Sequence, residues 1–223
     1  MAQGNDFQNS PEWYNARLFH FTSSELYKLM TEPRSAADKA AGKLSATAEG
    51  YVFDKVAEYL TNGVCLDYKE RFSKETDWGN TYEEVARNVY EQRTGTTVEL
   101  CGFVQYNDDF GGSPDGLVGE DGIIEIKGPY NSSVHAAYLL MMTAEDLRRV
   151  RPEYYAQIQG NLLVTGRKWA DFVSFDPRVQ NDAFALKILR IARDEAFIAK
   201  AVEALGRASA AKNEMKRKLL AML

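Results

Sequence analysis

The chain has 223 residues, 27 Lys plus Arg against 32 Asp plus Glu, and a formal net charge of −5. That length favours one compact domain, and the charge balance excludes a uniformly basic nucleic-acid coat. With 45% hydrophobic and 12% aromatic residues, disorder and collagen-like architecture are excluded as well.

In chain order, residues 1–17 lack the basic start and apolar stretch of a secretory signal. No run approaches the roughly 18–20 apolar residues of a membrane helix, so a cytoplasmic chain without a membrane partner is expected. Thr22, Ser23, Ser24 and Glu25, followed by Leu26, Leu29 and Met30, have the order of polar cap, acid and apolar stripe that starts a helix. Segment 35–47, rich in Ala, Ser and Lys, reads as a mobile loop or loosely held helix. A helix over 51–60 follows, ended by Asn62 and Gly63, then a linker over 67–77. The next helix spans 81–93, stopped at Gly95, with Glu83 in its first turn. Strands are expected over 97–106, 113–118 and 123–127, the last two joined by a Glu120-Asp121-Gly122 hairpin turn. Asn107 to Gly112, with Asp108 and Asp109, reads as a turn. Helices are expected over 132–142, from the Thr143 and Asp146 cap, and from Pro152 onward through Tyr155, Gln157 and Leu162. Strands over 169–175 and 184–191 precede a basic amphipathic helix or helix pair over 194–223, broken near Gly206. These elements make a layered α/β (α+β) domain over 1–223, with a core of about 13–178 and a C-terminal strand and helix over about 184–223.

Chemistry concentrates in GGSPDGLVGEDGIIEIKGP, residues 111–129. Alternation along a strand puts Glu125 and Lys127 on one face and Ile124 and Ile126 on the other. The hairpin folds Asp115 back toward the same end, so two carboxylates, one ammonium and the Ile126 backbone converge. Such a set suits metal-assisted phosphodiester hydrolysis, because Mg²⁺ prefers carboxylate, carbonyl and water oxygens. Lys127 could orient or deprotonate the attacking water, or hold a phosphate oxygen. Each piece alone has an ordinary reading: a Pro-Asp-Gly turn, solvated charge on a strand, and for Glu83 a favourable helix-dipole position. His20 and His135 lack metal-ligand spacing and read as structural. Trp13, Trp78 and Trp169 read as core.

In order and spacing, these residues resemble a known family. Pro114-Asp115 followed by Glu125-Ile126-Lys127 resembles the PD-(D/E)XK nuclease signature of the restriction-endonuclease-like core. Trp13, Arg17-Leu18 and Thr22 to Glu25; Trp78-Gly79, Tyr82-Glu83 and Ala86-Arg87; Tyr155, Gln157 and Gln159; and Asp176-Pro177-Arg178 narrow it to the phage lambda exonuclease group, the YqaJ-type viral recombinases. The resemblance runs from about Trp13 to Arg178.

The resemblance implies an Mg²⁺-dependent exonuclease, with Mn²⁺ as substitute, that digests linear duplex DNA 5′→3′ and leaves a 3′ overhang. Asp115, Glu125 and the Ile126 carbonyl would hold the metal, Lys127 would position or activate the water, and Glu83 would complete the acidic cluster. Arg17, Ser24 and Gln157 would take the 5′-terminal phosphate, with Thr22 and Ser23 as alternatives to Ser24. Outside the family context Ser24 reads as a helix cap, Arg17 as a surface ion-pair residue and Gln157 as a core amide. A ring-shaped homotrimer, a single-strand annealing partner and a phage or prophage origin are also implied. Rival readings are an endonuclease or resolvase on the same core, or a non-catalytic DNA-end-binding module. Two cysteines, Cys65 and Cys101, cannot supply the four thiolates of an iron–sulfur cluster, which excludes the cluster-bearing exonuclease type.

Overall fold

A computed structural model describes residue 8, residues 10–63 and residues 73–223. The chain enters on α1 (Pro11–Arg17), where the Ser10 side chain accepts from the Trp13 N–H and Pro11 occupies a position whose N–H needs no helical partner. Strand β1 (Phe21–Thr22), a 3-10 turn over Ser23–Glu25 and the single turn α2 (Leu26–Leu29) follow. The expected helix start is thus a 3-10 turn without a side-chain cap, because the Thr22 hydroxyl lies against Tyr51 and Ser24.

Segment 35–47 is more ordered than its composition suggests. Ser35 caps α3 (Ala36–Ala40), and Ser45 caps α4 (Ala46–Thr61) ahead of the apolar stripe that begins at Tyr51. Asn62 ends α4 in the left-handed region, as expected. Helix α5 (Lys74–Thr94) begins at its Ser73 cap rather than near 81, and Gly95 ends it. Glu83 therefore stands in the helix interior, which removes its first-turn dipole reading. Cys65, residues 67–72 of the expected linker and residues 1–7 of the N-terminal reading lie outside the described residues.

The expected strand over 97–106 divides into β2 (Val98–Glu99) and β3 (Val104–Asn107), because its two ends join different sheets. Asp108 and Asp109 do turn the chain, but Phe110 and Gly111 then pair with β1 in the short strand β4 (Phe110–Gly112). Strands β1, β4 and β3 make the smaller sheet. Strand β5 (Gly116–Val118) pairs antiparallel with β6 (Gly122–Lys127), Gly116 opposite Ile124. At the hairpin turn, Arg167 Nη1 donates to the carbonyls of Gly119 and Gly122, each at 2.7 Å. Helices α6 (Ser132–Leu139), α7 (Ala144–Val150) and α8 (Pro152–Thr165) follow, α7 opening on the expected Thr143–Asp146 capping box. Strand β7 (Trp169–Phe175) runs parallel to β6. After the single turn α9 (Asp182–Ala185), which keeps Phe184 exposed, β8 (Leu186–Ala192) closes the larger sheet in the order β2-β5-β6-β7-β8.

The larger sheet is buried on both faces. Ile123, Phe172 and Ile191 pack against Tyr138, Leu147, Ile158 and Leu162 of α6, α7 and α8. Ile124, Ile126 and Val173 pack against Ala86 and Tyr90 of α5. Each fully buried aliphatic or aromatic side chain contributes about 1.5–3 kcal/mol, which outweighs any single surface ion pair. A third cluster joins Phe21, Leu26, Tyr51 and Phe110 to Ile198, Leu205 and Ala208 of α10 (Glu195–Leu220). Helix α10 is not broken at Gly206: Ala204, Leu205 and Ala208 bury its inner face, and a Cβ on Gly206 would meet nothing within 4 Å. The architecture is the layered, mixed-sheet α/β (α+β) domain expected. Among the described residues no helix is long and apolar enough to cross a membrane.

Candidate active site

Alternation along β6 decides the site. Ile124 and Ile126 pack toward α5, so Glu125 and Lys127 face α8. Asp115 precedes β5 and is folded back against them: its N–H donates to the Ile124 carbonyl at 3.2 Å, and its Oδ2 accepts from the Ile126 N–H at 2.6 Å. Lys127 Nζ donates to Glu125 Oε1 at 2.7 Å and to Gln157 Oε1 at 3.4 Å. Asp115 is 9% exposed and Glu125 not at all.

Burial pushes the Glu125 carboxyl up to about 7, with Asp115 repulsion adding to the rise and Lys127 opposing it. Burial, then the Asp115 charge, also push Glu83 up to about 7, although its Oε1 lies 2.9 Å from Arg87. Burial pulls the Lys127 ammonium down, but the Glu125 and Asp115 charges prevail and hold it above its ordinary value. Burial and mutual repulsion of these carboxylates are therefore incompletely compensated by their cationic neighbours, and an added cation would relieve them. Among the described residues no three His, Cys, Asp or Glu side chains close into a ready-made metal cluster. Two carboxylates and the Ile126 carbonyl instead fit a hard ion that keeps several of its waters.

A second group lies in the same cleft. The Arg17 guanidinium rests on the Trp13 ring, 4.1 Å from its centroid, and donates to Ser113 Oγ and Ser24 Oγ, each at 3.3 Å. Trp13 Nε1 donates to the same Ser113 hydroxyl at 2.9 Å. Burial holds Arg17 below its ordinary value. A partly buried planar cation whose partners among the described residues are hydroxyls rather than a carboxylate is arranged to receive an anion.

The cleft, about 550 Å³, is lined by Arg17, Ser24, Glu83, Asp115, Glu125, Ile126, Lys127 and Gln157, every residue singled out from the sequence. The sequence pattern of the YqaJ-like viral recombinase domain matches residues 12–168, well over half the chain. The chain belongs to that family. It is a DNA nuclease on an exonuclease fold. It is similar to LHK-Exo, an alkaline exonuclease from Laribacter hongkongensis, at 31% identity and a TM-score of 0.73, covering 96% of this chain and 100% of the other. LHK-Exo in complex with dAMP superposes with a TM-score of 0.74 at the same identity and coverage. A phage related exonuclease from Haemophilus somnus 129PT, 23% identical over 92% of this chain and 99% of its own, has the same fold at a TM-score of 0.71. No curated protein matches the chain.

The structure separates Thr22, Ser23 and Ser24, which the sequence leaves as alternatives. Of the run Thr22 to Ser24, Thr22 turns to Tyr51, Ser23 is buried behind the cleft and Ser24 lines it. Gln157 faces Lys127, whereas Gln159 is the core amide, donating to the Ala192 carbonyl and accepting from the Asp194 N–H. His135 is structural, held between Ser174 and the Phe184 carbonyl, and His20 sits against the Leu18 carbonyl. Trp78 carries Arg178 and Trp169 carries Arg190, outside the cleft lining. Trp13 is buried yet lines the cleft, so its assignment to the core alone is incomplete. Ser113, a motif residue given no role from the sequence, also lines it, as do Arg151, Tyr154 and Asn161, which the sequence does not single out. Asn161 had one signal: it stands four residues beyond Gln157 on α8, hence on the same helix face.

Proposed function

We propose that this YqaJ-family chain is an Mg²⁺-dependent exonuclease that degrades the 5′-ended strand of linear duplex DNA, 5′→3′, leaving a 3′ overhang. The observation that carries the reading is the meeting of Asp115, Glu125 and Lys127 with the Arg17–Ser24 pair in one cleft. Arg17, Ser24 and Gln157 hold the 5′-terminal phosphate. Asp115, Glu125 and the Ile126 carbonyl are the donors for Mg²⁺ or Mn²⁺, and Glu83 completes the acidic set. When bound, the ion would supply a water of lowered pKa and would offset charge on the attacked phosphate. Lys127 positions that water. A P–O bond forms from the water oxygen while the bond from phosphorus to the 3′ oxygen breaks, and the 3′ oxygen leaves with a proton. The product is a nucleoside 5′-monophosphate, the chemical class of the dAMP in the LHK-Exo complex. The shortened strand carries a new 5′-phosphate for Arg17 to take. On the family resemblance, the working form is a ring-shaped homotrimer in the host cytoplasm, handing the 3′ strand to a single-strand annealing protein.

The test uses a 5′-phosphorylated, end-labelled linear duplex and a covalently closed circle, each with Mg²⁺ or with EDTA. Loss of the 5′-ended strand only, with Mg²⁺ only, and an intact circle are expected. Nicking of the circle would make the enzyme an endonuclease, and activity in EDTA would overturn the metal reading. Arg17→Ala should reduce the preference for 5′-phosphate over 5′-hydroxyl ends about 10- to 100-fold, the worth of one hydrogen-bonded charge contact. An unchanged preference removes Arg17 from the phosphate pocket.

A further inference from the structure

Behind the cleft carboxylates lies a buried amide that the mechanism above leaves unused. Asn161, on α8 and fully buried, donates from Nδ2 to Glu125 Oε2 at 3.0 Å. Lys127 holds the other carboxylate oxygen at 2.7 Å, so the plane of Glu125 is fixed from both sides. An amide that faces a carboxylate must present its NH₂, which turns Asn161 Oδ1 away from Glu125. That oxygen has no hydrogen-bond partner among the described residues, and neither does the buried Ser23 hydroxyl. Both crowd one spot: a Cβ on Gly112 would stand 2.4 Å from Asn161 Oδ1 and 2.3 Å from Ser23 Oγ. Only glycine leaves room there for the two oxygens.

Burying polar atoms without partners is costly, so a purely structural amide at this depth is expected to saturate itself on backbone groups, as Gln159 does two residues earlier. Asn161 instead gives its donor to a cleft carboxylate. We propose that Asn161 is a positioning residue for metal binding, holding Glu125 so that a free lone pair faces the cation. This rests on the reading of Glu125 as a metal ligand. Groups that orient a metal ligand typically change metal affinity 10- to 100-fold when removed.

The experiment titrates Mn²⁺ into the DNA-free full chain and follows loss of the free-ion EPR signal, with circular dichroism and thermal midpoint recorded for each variant. Asn161→Leu keeps the branched shape and removes the donor. Asn161→Ser is polar but too short to reach Glu125, and decides the matter if the leucine variant does not fold. Mn²⁺ affinity is expected to fall about 10- to 100-fold in either folded variant. At saturating Mn²⁺, kcat should return to within a few-fold of wild type, which a general loss of structure would not permit. Wild-type Mn²⁺ affinity in a folded Asn161 variant overturns the proposal. Failure of the wild-type chain to bind Mn²⁺ overturns the Glu125 metal reading and this one with it.

Discussion

Glu125 on β6 and Asp171 on the neighbouring β7 are buried to the same degree, 0% and 1% exposed, yet the protein treats them oppositely. Asp171 accepts from Arg190 Nε and Nη2 at 2.9 and 2.8 Å and from the Tyr90 hydroxyl at 2.7 Å. Asp176 is similar: burial pushes it up, but the Arg178 fork and backbone N–H prevail and bring it to about 2. Among the described residues Glu125 is met by a lysine, which also faces Asp115, and by one neutral amide. The structural carboxylates are saturated by planar two-point donors, while Glu125 and Glu83 in the cleft are left incompletely compensated and are pushed up to about 7. Burial of an acid does not mark a site; incomplete compensation does.

Charge removal on the two strands gives the sharpest contrast. Glu125→Gln is expected to lower digestion of linear duplex by at least about 10²–10³-fold, the scale of losing one preorganised electrostatic contact, without lowering the thermal midpoint of the metal-free protein. Asp171→Asn should do the reverse, costing about 1–3 kcal/mol by unpairing Arg190 and Tyr90 while leaving the rate per folded molecule unchanged. Equal loss of stability in both variants would break the comparison. A pH series sharpens it. With Asp176 near 2 in the fold and about 3.9 unfolded, its pairing stabilises fully above about pH 4 and is lost as pH falls through 2. Arg178→Ala should therefore lower the thermal midpoint at pH 7 and converge with wild type near pH 2; a constant difference would assign the effect to packing on Trp78 instead. The smallest expected effect lies away from every carboxylate. Gly206→Ala, in an open helical position, should stabilise by about 0.5–1 kcal/mol by calorimetry, and a loss would mean that α10 bends there.

Legibility from sequence followed the range of the cause. The β6 alternation, the Thr143–Asp146 capping box and the Asn62 and Gly95 stops are local, and each is found where expected. Helix starts were read late because Ser45 and Ser73 cap turns that precede the apolar stripes. The parallel pairing of β1 with β4 joins residues far apart in the chain, with no local period to reveal it. The basic C-terminal segment shows the same limit. Lys212 is one of nine Lys or Arg against four acids in residues 183–223, yet it turns inward to pair with Asp109 and the Phe19 carbonyl. Helix geometry alone does not predict that choice, since a long side chain goes where a buried partner awaits it.

The net charge of −5 by itself excludes only a uniformly basic binder, and motif order by itself carries the family, because spacing along a hairpin and a helix is set by backbone geometry. Tertiary structure alone decided that Ser24 rather than Ser23 lines the cleft and that Asn161 stands behind Glu125. Those choices depend on which helix face packs against which strand. Such contacts are set by burial of the whole core, not by any local run of residues.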